Sequence, residues 1–289
     1  MAEPSKTLRE LIALGDRYLA EKGIPESRTV IELLAARLFS CGRMDLFRHA
    51  GEVPSGHRVD ALRRGMLRVA KGEPVQYVLG QWEFRGLTLK VDRRALIPRP
   101  ETERLVDHVL ASPAAKAERP LVVDVGTGTG CILLSLAQEM PAGVFIGLDI
   151  SPEALALARE NAALTGLAGR VHFAGADGWD AFDPCSVDIL VSNPPYIPSA
   201  TVDALPPWIR EHEPRIALDG GPDGLDVYRS LVGDASMVLK PGGGLFLEIG
   251  DDQGPALADL LEEYGFAEIQ ILKDYAGKDR YALARQSAV

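Results

Sequence analysis

Asn193-Pro194-Pro195-Tyr196 is the stretch of this sequence best equipped for chemistry. It follows residues 187–191, a short apolar run with the character of a buried parallel strand. The residue before a proline is pushed toward extended geometry, so Asn193 is expected at the strand's end, its side chain projecting past the sheet. Pro194 and Pro195 have fixed φ and no N–H, so the turn offers bare carbonyl acceptors on a stiff backbone. Tyr196 adds a flat aromatic face with a polar tip. An Asn carbonyl, a proline carbonyl and an aromatic plate together suit a planar group bearing an NH2, with two acceptors for its two hydrogens and a ring for its face. A proline turn that merely closes a strand is the plain alternative, and the flanking Asn and Tyr argue against it.

The second constellation is Asp124-Val125-Gly126-Thr127-Gly128-Thr129-Gly130, which ends one strand and opens a helix. Glycines there let the backbone turn sharply and approach a ligand closely. The next strand ends in Asp149, 19 residues past Gly130, where a carboxylate can grip two ribose hydroxyls. Dinucleotide and S-adenosylmethionine sites share this pairing of glycine loop and acid. Two features favour S-adenosylmethionine. The loop reads GxGxG, with Cys131 where the dinucleotide pattern has its third glycine. An acceptor cluster such as Asn193-Pro194-Pro195-Tyr196 also needs a methyl donor facing it, and nicotinamide chemistry has no use for one. Gly126, Thr127, Gly128, Thr129, Gly130 and Asp149 are therefore the expected cofactor residues, with Asn193 shared between cofactor and substrate. Asp177 is placed for the adenine amino group, and Gly178 or Trp179 for lining its ring.

These residues need a frame. Residues 121–125, 144–150, 171–174, 187–192 and 244–249 read as strands, with helices at 131–140, 152–165 and about 225–239. Such alternation demands a parallel sheet with right-handed crossovers and helices on both faces. A further helix (255–264) and two β-like runs, 267–272 and 280–285, close the chain; the short turn between the runs allows only antiparallel pairing. Upstream, four helical segments fill the first 72 residues, and helical periodicity is expected to stop at Glu73-Pro74. Residues 81–91 alternate around Gly86 as a hairpin, and 113–120 read as a loop. The connection 197–224 is longer than a plain link needs, a candidate lid or substrate wall. The expected domains are a helical substrate-docking domain over 1–75, a β-hairpin linker over 76–100 and an α/β domain over 101–289.

Composition narrows the function classes. Apolar content of 46% with 25% charged residues is ordinary for a globular chain. No run approaches the roughly 18 apolar residues of a membrane span, and the opening residues lack the features of a secretory signal, so a cytoplasmic protein is expected. Cys41, Cys131 and Cys185 are scattered and the five histidines show no metal-ligand spacing, so no metal is expected. At the head of a helix the Cys131 thiol could have its pKa lowered, although a small packed residue is the simpler role. Net charge is −10, split as +3 over residues 1–80 (13 basic, 10 acidic) and −13 over 81–289 (18 basic, 31 acidic). That is not the basic footprint of a nucleic-acid reader. Arg63, Arg64, Arg68 and Lys71 gather on or beside one helix, either a solvated face or a partner surface.

The chain resembles the HemK/PrmC family of release factor glutamine methyltransferases. The matching pieces are Gly72-Glu73-Pro74-Val75-Gln76-Tyr77, Leu96-Ile97-Pro98-Arg99-Pro100-Glu101-Thr102-Glu103, residues 124–130, Asp149, residues 192–197, and Glu213-Pro214-Arg215-Ile216-Ala217-Leu218-Asp219-Gly220-Gly221. The Asn-Pro-Pro-Tyr turn is common to many amino-group methyltransferases; the Ile-Pro-Arg-Pro and Glu-Pro-Arg elements are what narrow the family. The resemblance implies a Rossmann-like S-adenosylmethionine-dependent methyltransferase fold, mostly parallel with an antiparallel C-terminal hairpin, beside a small N-terminal helical bundle. It implies S-adenosylmethionine as methyl donor and class 1 peptide-chain release factors as substrate, methylated on the glutamine of a Gly-Gly-Gln loop. Asn193, Pro194, Pro195 and Tyr196 would be catalytic and would bind substrate together with Arg99. A monomer without direct nucleic-acid binding is expected. The competing reading is a methyltransferase for an exocyclic amino group of a nucleic-acid base, because the same turn serves a flipped base equally well.

Overall fold

The computed structural model describes residues 6–175 and 182–287. The chain divides into two units, one of residues up to Gln81 together with Pro207–His212, the other of Trp82–Pro206 and the residues from Glu213 onward.

In the first unit, α1 (Leu8–Glu21), α2 (Ser27–Phe39), α3 (Gly56–Val69) and α4 (Val75–Leu79) are joined by a 3-10 turn at Arg43–His49. A capping box starts α1: the Thr7 hydroxyl accepts from the Glu10 N–H while the Glu10 carboxylate accepts from the Thr7 N–H. Leu8, Leu19 and Ile31 are fully buried at the centre of the unit's core. Helix α4 departs from expectation. Pro74 ends the longer helical pattern but stands as the N-cap of a fresh turn of helix, which closes at left-handed Gly80.

The second unit opens with the hairpin β1 (Gln81–Phe84) and β2 (Leu87–Lys90), followed by α5 (Pro100–Ala111). Then come β3 (Leu121–Val125), α6 (Cys131–Glu139), β4 (Val144–Asp149), α7 (Pro152–Leu164), β5 (Val171–Gly175) and β6 (Val187–Ser192). The long connection after β6 is not bare loop: it carries α8 (Ser199–Ala204), α9 (Pro207–Arg210, counted with the first unit) and a 3-10 turn at Arg215–Ala217. The unit ends with α10 (Asp226–Val238), β7 (Leu239–Glu248), α11 (Gly254–Glu263), β8 (Phe266–Lys273) and β9 (Asp279–Gln286).

Seven strands form one sheet in the order β5-β4-β3-β6-β7-β9-β8. The first five are parallel, and β9 runs antiparallel to both β7 and β8. Alternate side chains feed opposite faces. Val122, Ile189 and Val191 pack with α5 and α6, whereas Val123, Leu190 and Leu245 pack with α10 and α11. Each fully buried large apolar side chain contributes about 1.5–3 kcal/mol, which fixes the helices to the sheet and the loops to its rim. Strand β7 begins earlier than its sequence suggests. Leu239 pairs with Val187, the register then shifts, and Gly244 pairs with Ile189. The Pro241-Gly242-Gly243 stretch is absorbed as a bulge, which spares the ladder a proline with no N–H.

Strand order reverses between β3 and β6, which stay parallel: β4 and β5 are laid down on one side of β3, and β6 and β7 on the other. In an open α/β sheet the crevice beyond the strands' carboxyl ends at this switch point is where ligands bind. Both sequence constellations end there.

Candidate functional site

The glycine loop leaves β3 at Val125 and enters α6 at Cys131. Gly126, Gly128 and Gly130 all have positive φ (69°, 56° and 80°), a path that side chains with a Cβ rarely follow. The loop is tied in from three sides. The Thr127 N–H donates to the Leu148 carbonyl (2.9 Å), the Thr127 hydroxyl to Asp124 Oδ2 (2.7 Å), and the Asn161 amide on α7 to the Thr129 carbonyl (2.9 Å).

Two acids flank the loop. Asp149, at the end of β4, accepts from the backbone N–H of Gly128 (2.8 Å) and of Ser151 (2.9 Å), and burial raises its pKa. Asp124 is fully buried. Burial pushes its carboxyl up to about 7, and Oδ1 has no hydrogen-bond partner. An orphaned buried acceptor costs stability unless a donor reaches it. Cys131 is also buried, and burial raises its thiol to about 12, so desolvation overrides the helix N-terminus and the lowered pKa does not arise.

Asn193 follows β6, whose last residue, Ser192, donates its hydroxyl to the Val125 carbonyl (2.7 Å) and pins β6 to β3. Asn193 Nδ2 donates to Thr102 Oγ1 (3.1 Å), in the first turn of α5. The Thr102 hydroxyl in turn donates to Glu248 Oε2 (2.7 Å), at the end of β7. Glu248 is 2% exposed, and burial raises its carboxyl to about 7 against the hydrogen bond from Thr102 and the charge of Arg280. The phenol of Tyr196 is driven up to about 12, first by burial and next by Glu248, so it stays protonated at neutral pH.

The backbone of the turn is held as firmly as its side chains. Gln253 Nε2 donates to the Tyr196 carbonyl (3.0 Å) and to the Gly224 carbonyl (3.1 Å). At Gly220 a Cβ would stand 2.8 Å from the Pro195 carbonyl oxygen and 2.9 Å from Tyr196 Cα, so only glycine lets this strap lie on the turn. Arg99 pairs with buried Glu213 (2.5 Å), whose other oxygen accepts from the Ile97 N–H (3.3 Å). The two sequence elements that narrow the family are thereby joined in one clamp.

A cleft of about 510 Å³ lies at this rim. Gly126, Thr127, Gly128, Thr129 and Asp149 line it on one side; Arg99, Asn193, Pro194 and Pro195 line it on the other. Gly130 and Tyr196 are not among its lining residues: Gly130 caps α6, and the Tyr196 ring packs against the core beside α10. Asp177, Gly178 and Trp179 lie outside the described residues. Sequence reasoning assigned no site role to Ile150, Ser151 and Ala95, to Leu96 and Ile97 (quoted only as part of a family element), or to Val227, Ser230 and Asp234 of α10, all of which line the cleft. Nor did it assign a role to Glu248, or to Thr102 beyond its place in the family element 96–103. A signal for Glu248 was present: a lone acid in the otherwise apolar run 244–249. Among the described residues no group of three or more His, Cys, Asp or Glu is placed to hold a metal, and no helix is long and apolar enough to cross a membrane.

Residues 119–277 match the model of a methyltransferase domain, and residues 10–80 match that of the PrmC N-terminal domain. The chain is 43% identical to the release factor glutamine methyltransferase of Moorella thermoacetica, over 96% of this chain and 98% of that one. It is 39% identical to the protein of the same name from Geobacter sulfurreducens, over 95% of each. In fold it is similar to the hMettl16 catalytic domain in complex with MAT2A 3'UTR hairpin 6, with a TM-score of 0.55 at 16% identity, covering 70% of this chain and 76% of that one.

Proposed function

The chain belongs to the release factor glutamine methyltransferases, and we propose that it methylates the side-chain amide nitrogen of the Gly-Gly-Gln glutamine with Asn193 and Pro194 as the groups that aim it. The enzyme is S-adenosylmethionine-dependent, and its substrate is the release factor glutamine.

The observation that carries the residue assignment is the engagement of Asn193. Its Nδ2 is taken up by Thr102 while the residue lines the cleft, which leaves the carboxamide oxygen as the group to offer a substrate. The cleft residues fit the cofactor. Asp149 suits ribose hydroxyls, and the turned glycine loop permits close backbone approach. When bound there, S-adenosylmethionine supplies an electrophilic methyl group on a sulfonium.

An amide nitrogen is a poor nucleophile because its lone pair is delocalised into the carbonyl. The Asn193 side-chain carbonyl and the Pro194 backbone carbonyl accept its two hydrogens and turn its lone pair toward the methyl. Tyr196, its phenol neutral and its ring packed against the core, backs the turn from behind rather than lining the cleft, and Arg99, steadied by Glu213, holds the substrate backbone. The nitrogen turns acidic as it gains its fourth bond, so water can take the departing proton and no strong base is required. Positioning of this kind is worth up to about 7–11 kcal/mol of barrier in favourable cases.

The helical N-terminal domain, residues 1–75, docks the release factor, with 76–100 as the linker. Met44 and Phe47 stand largely exposed there, as a docking face requires. The enzyme acts as a cytoplasmic monomer without direct nucleic-acid binding, in keeping with its −10 charge. A nucleic-acid base as acceptor is not favoured, given relatives named for release factors. Tritiated S-adenosylmethionine offered with release factor, tRNA and rRNA side by side tests the assignment. Label should enter only the release factor and map to the glutamine; label in either RNA would reject it.

A further inference from the structure

We propose that Thr102 and Glu248 act as a one-way orientation lock on Asn193, forcing its carboxamide oxygen, and never its NH2, toward the substrate. The inference rests on the reading of Asn193 as the substrate's acceptor. A carboxamide is nearly symmetric in shape, and rotation by a half turn exchanges its acceptor for a donor. The flipped form would meet the substrate NH2 donor to donor, and packing alone distinguishes the two forms poorly. A threonine hydroxyl alone does not distinguish them either, because it can accept from the NH2 or donate to the oxygen.

Glu248, as the carboxylate and therefore an acceptor only, breaks that symmetry. Its Oε2 takes the Thr102 hydroxyl hydrogen at 2.7 Å, so Thr102 Oγ1 is left only as an acceptor, and Asn193 Nδ2 donates to it at 3.1 Å. Thr102 and Glu248 are each 2% exposed, so water does not compete for these bonds. The backbone on either side is fixed as well. The Glu248 carbonyl accepts from Tyr228 Oη (2.7 Å), and β6 is pinned to β3 through Ser192. Thr102 and Glu248 are positioning residues: they act on the substrate only through Asn193.

The chain has two asparagines, Asn161 and Asn193, which gives the lock a direct readout. Labelling with 15N-asparagine yields two side-chain NH2 groups. Asn161 is fully buried and donates to the Lys90 and Thr129 carbonyls (3.0 and 2.9 Å), so it serves as an internal reference. In the wild-type protein the Asn193 NH2 protons should exchange slowly with solvent. Thr102→Val should speed that exchange by about tenfold or more and cut single-turnover methylation of release factor by a similar factor. Asn161 and the S-adenosylmethionine dissociation constant should stay unchanged. Thr102→Ser, which restores the hydroxyl, should recover both. Glu248→Gln can accept or donate, so it should fall between the two, and it decides the matter if Thr102→Val fails to fold.

Slow Asn193 exchange and full turnover in Thr102→Val would overturn the proposal, as would a parallel loss of cofactor affinity. A wild-type protein with a protected Asn193 amide and no transfer to release factor would leave the lock standing and remove the functional reading beneath it.

Discussion

At the scale of the residue, Asn193 is hard to replace even by its acid. Asn193→Asp keeps the size and one acceptor but loses the NH2 that donates to Thr102, and it brings a second carboxylate close to buried Glu248. A charge taken out of water without a partner is costly. Both Asn193→Asp and Asn193→Ala should lower kcat by roughly a hundredfold or more, the scale of losing one preorganised transition-state contact. Calorimetry should find S-adenosylmethionine affinity little changed; retained kcat with lost affinity would make Asn193 a cofactor ligand only. Glu248 carries a separate signature. Its pKa rises from the ordinary 4.5 to about 7 in the folded protein. A raised carboxyl stabilises the fold below its unfolded pKa, and that contribution is lost as pH climbs through the folded one. The Tm of Glu248→Gln should therefore gain on wild type between pH 4.5 and about 7 and keep a constant offset outside that window. A gap that does not change with pH would place the wild-type carboxyl in water.

At the scale of the element, the Asn-Pro-Pro-Tyr turn is held by a strap of backbone. Residues Gly220 and Gly224 lie against the carbonyls of Pro195 and Tyr196, and Gln253 bridges the Tyr196 and Gly224 carbonyls. Gly224 also sits at a φ of +76°. Gly224→Ala should destabilise the protein by about 2 kcal/mol or more, through left-handed strain and the clash with Tyr196. It should also lower kcat without weakening cofactor binding; unchanged thermal unfolding would show that the strap can yield. This packing marks the limit of what the sequence disclosed. The glycine loop and the Asn-Pro-Pro-Tyr turn were legible because each is contiguous and ends a strand whose apolar run is plain. Helix α4 was hidden by Pro74, which reads as a stop and serves as a start. The early part of β7 was hidden by its bulge. Glu248 shows in the sequence only as a lone acid in an apolar run, and Thr102 carries no local mark; their shared task exists only once α5 and β7 stand beside β6.

At the scale of the whole molecule, the residues that line the cleft lie in the second unit, while the positive excess of charge lies in residues 1–80. Arg63 and Arg64 of α3 are exposed, whereas Arg68 is paired with Glu73 (2.6 Å). Deleting residues 1–72 should leave S-adenosylmethionine binding intact and raise the apparent KM for release factor. If basic side chains guide docking, association with the full-length enzyme should also slow as salt rises. Equal kinetics for the truncated and intact proteins would reject the docking role.

The reach of the Asn193 contacts along the chain has a consequence in time. Asn193 and Thr102 are 91 residues apart, and Thr102 and Glu248 are 146 apart. Closing such loops is slow, because ordering entropy is lost before any contact rewards it. Helices within each segment can form within microseconds, but Asn193 acquires its orientation only when β6 and β7 have found their register and α5 has docked on them. Catalytic competence thus waits on assembly of the sheet and docking of α5, not on formation of the helices alone.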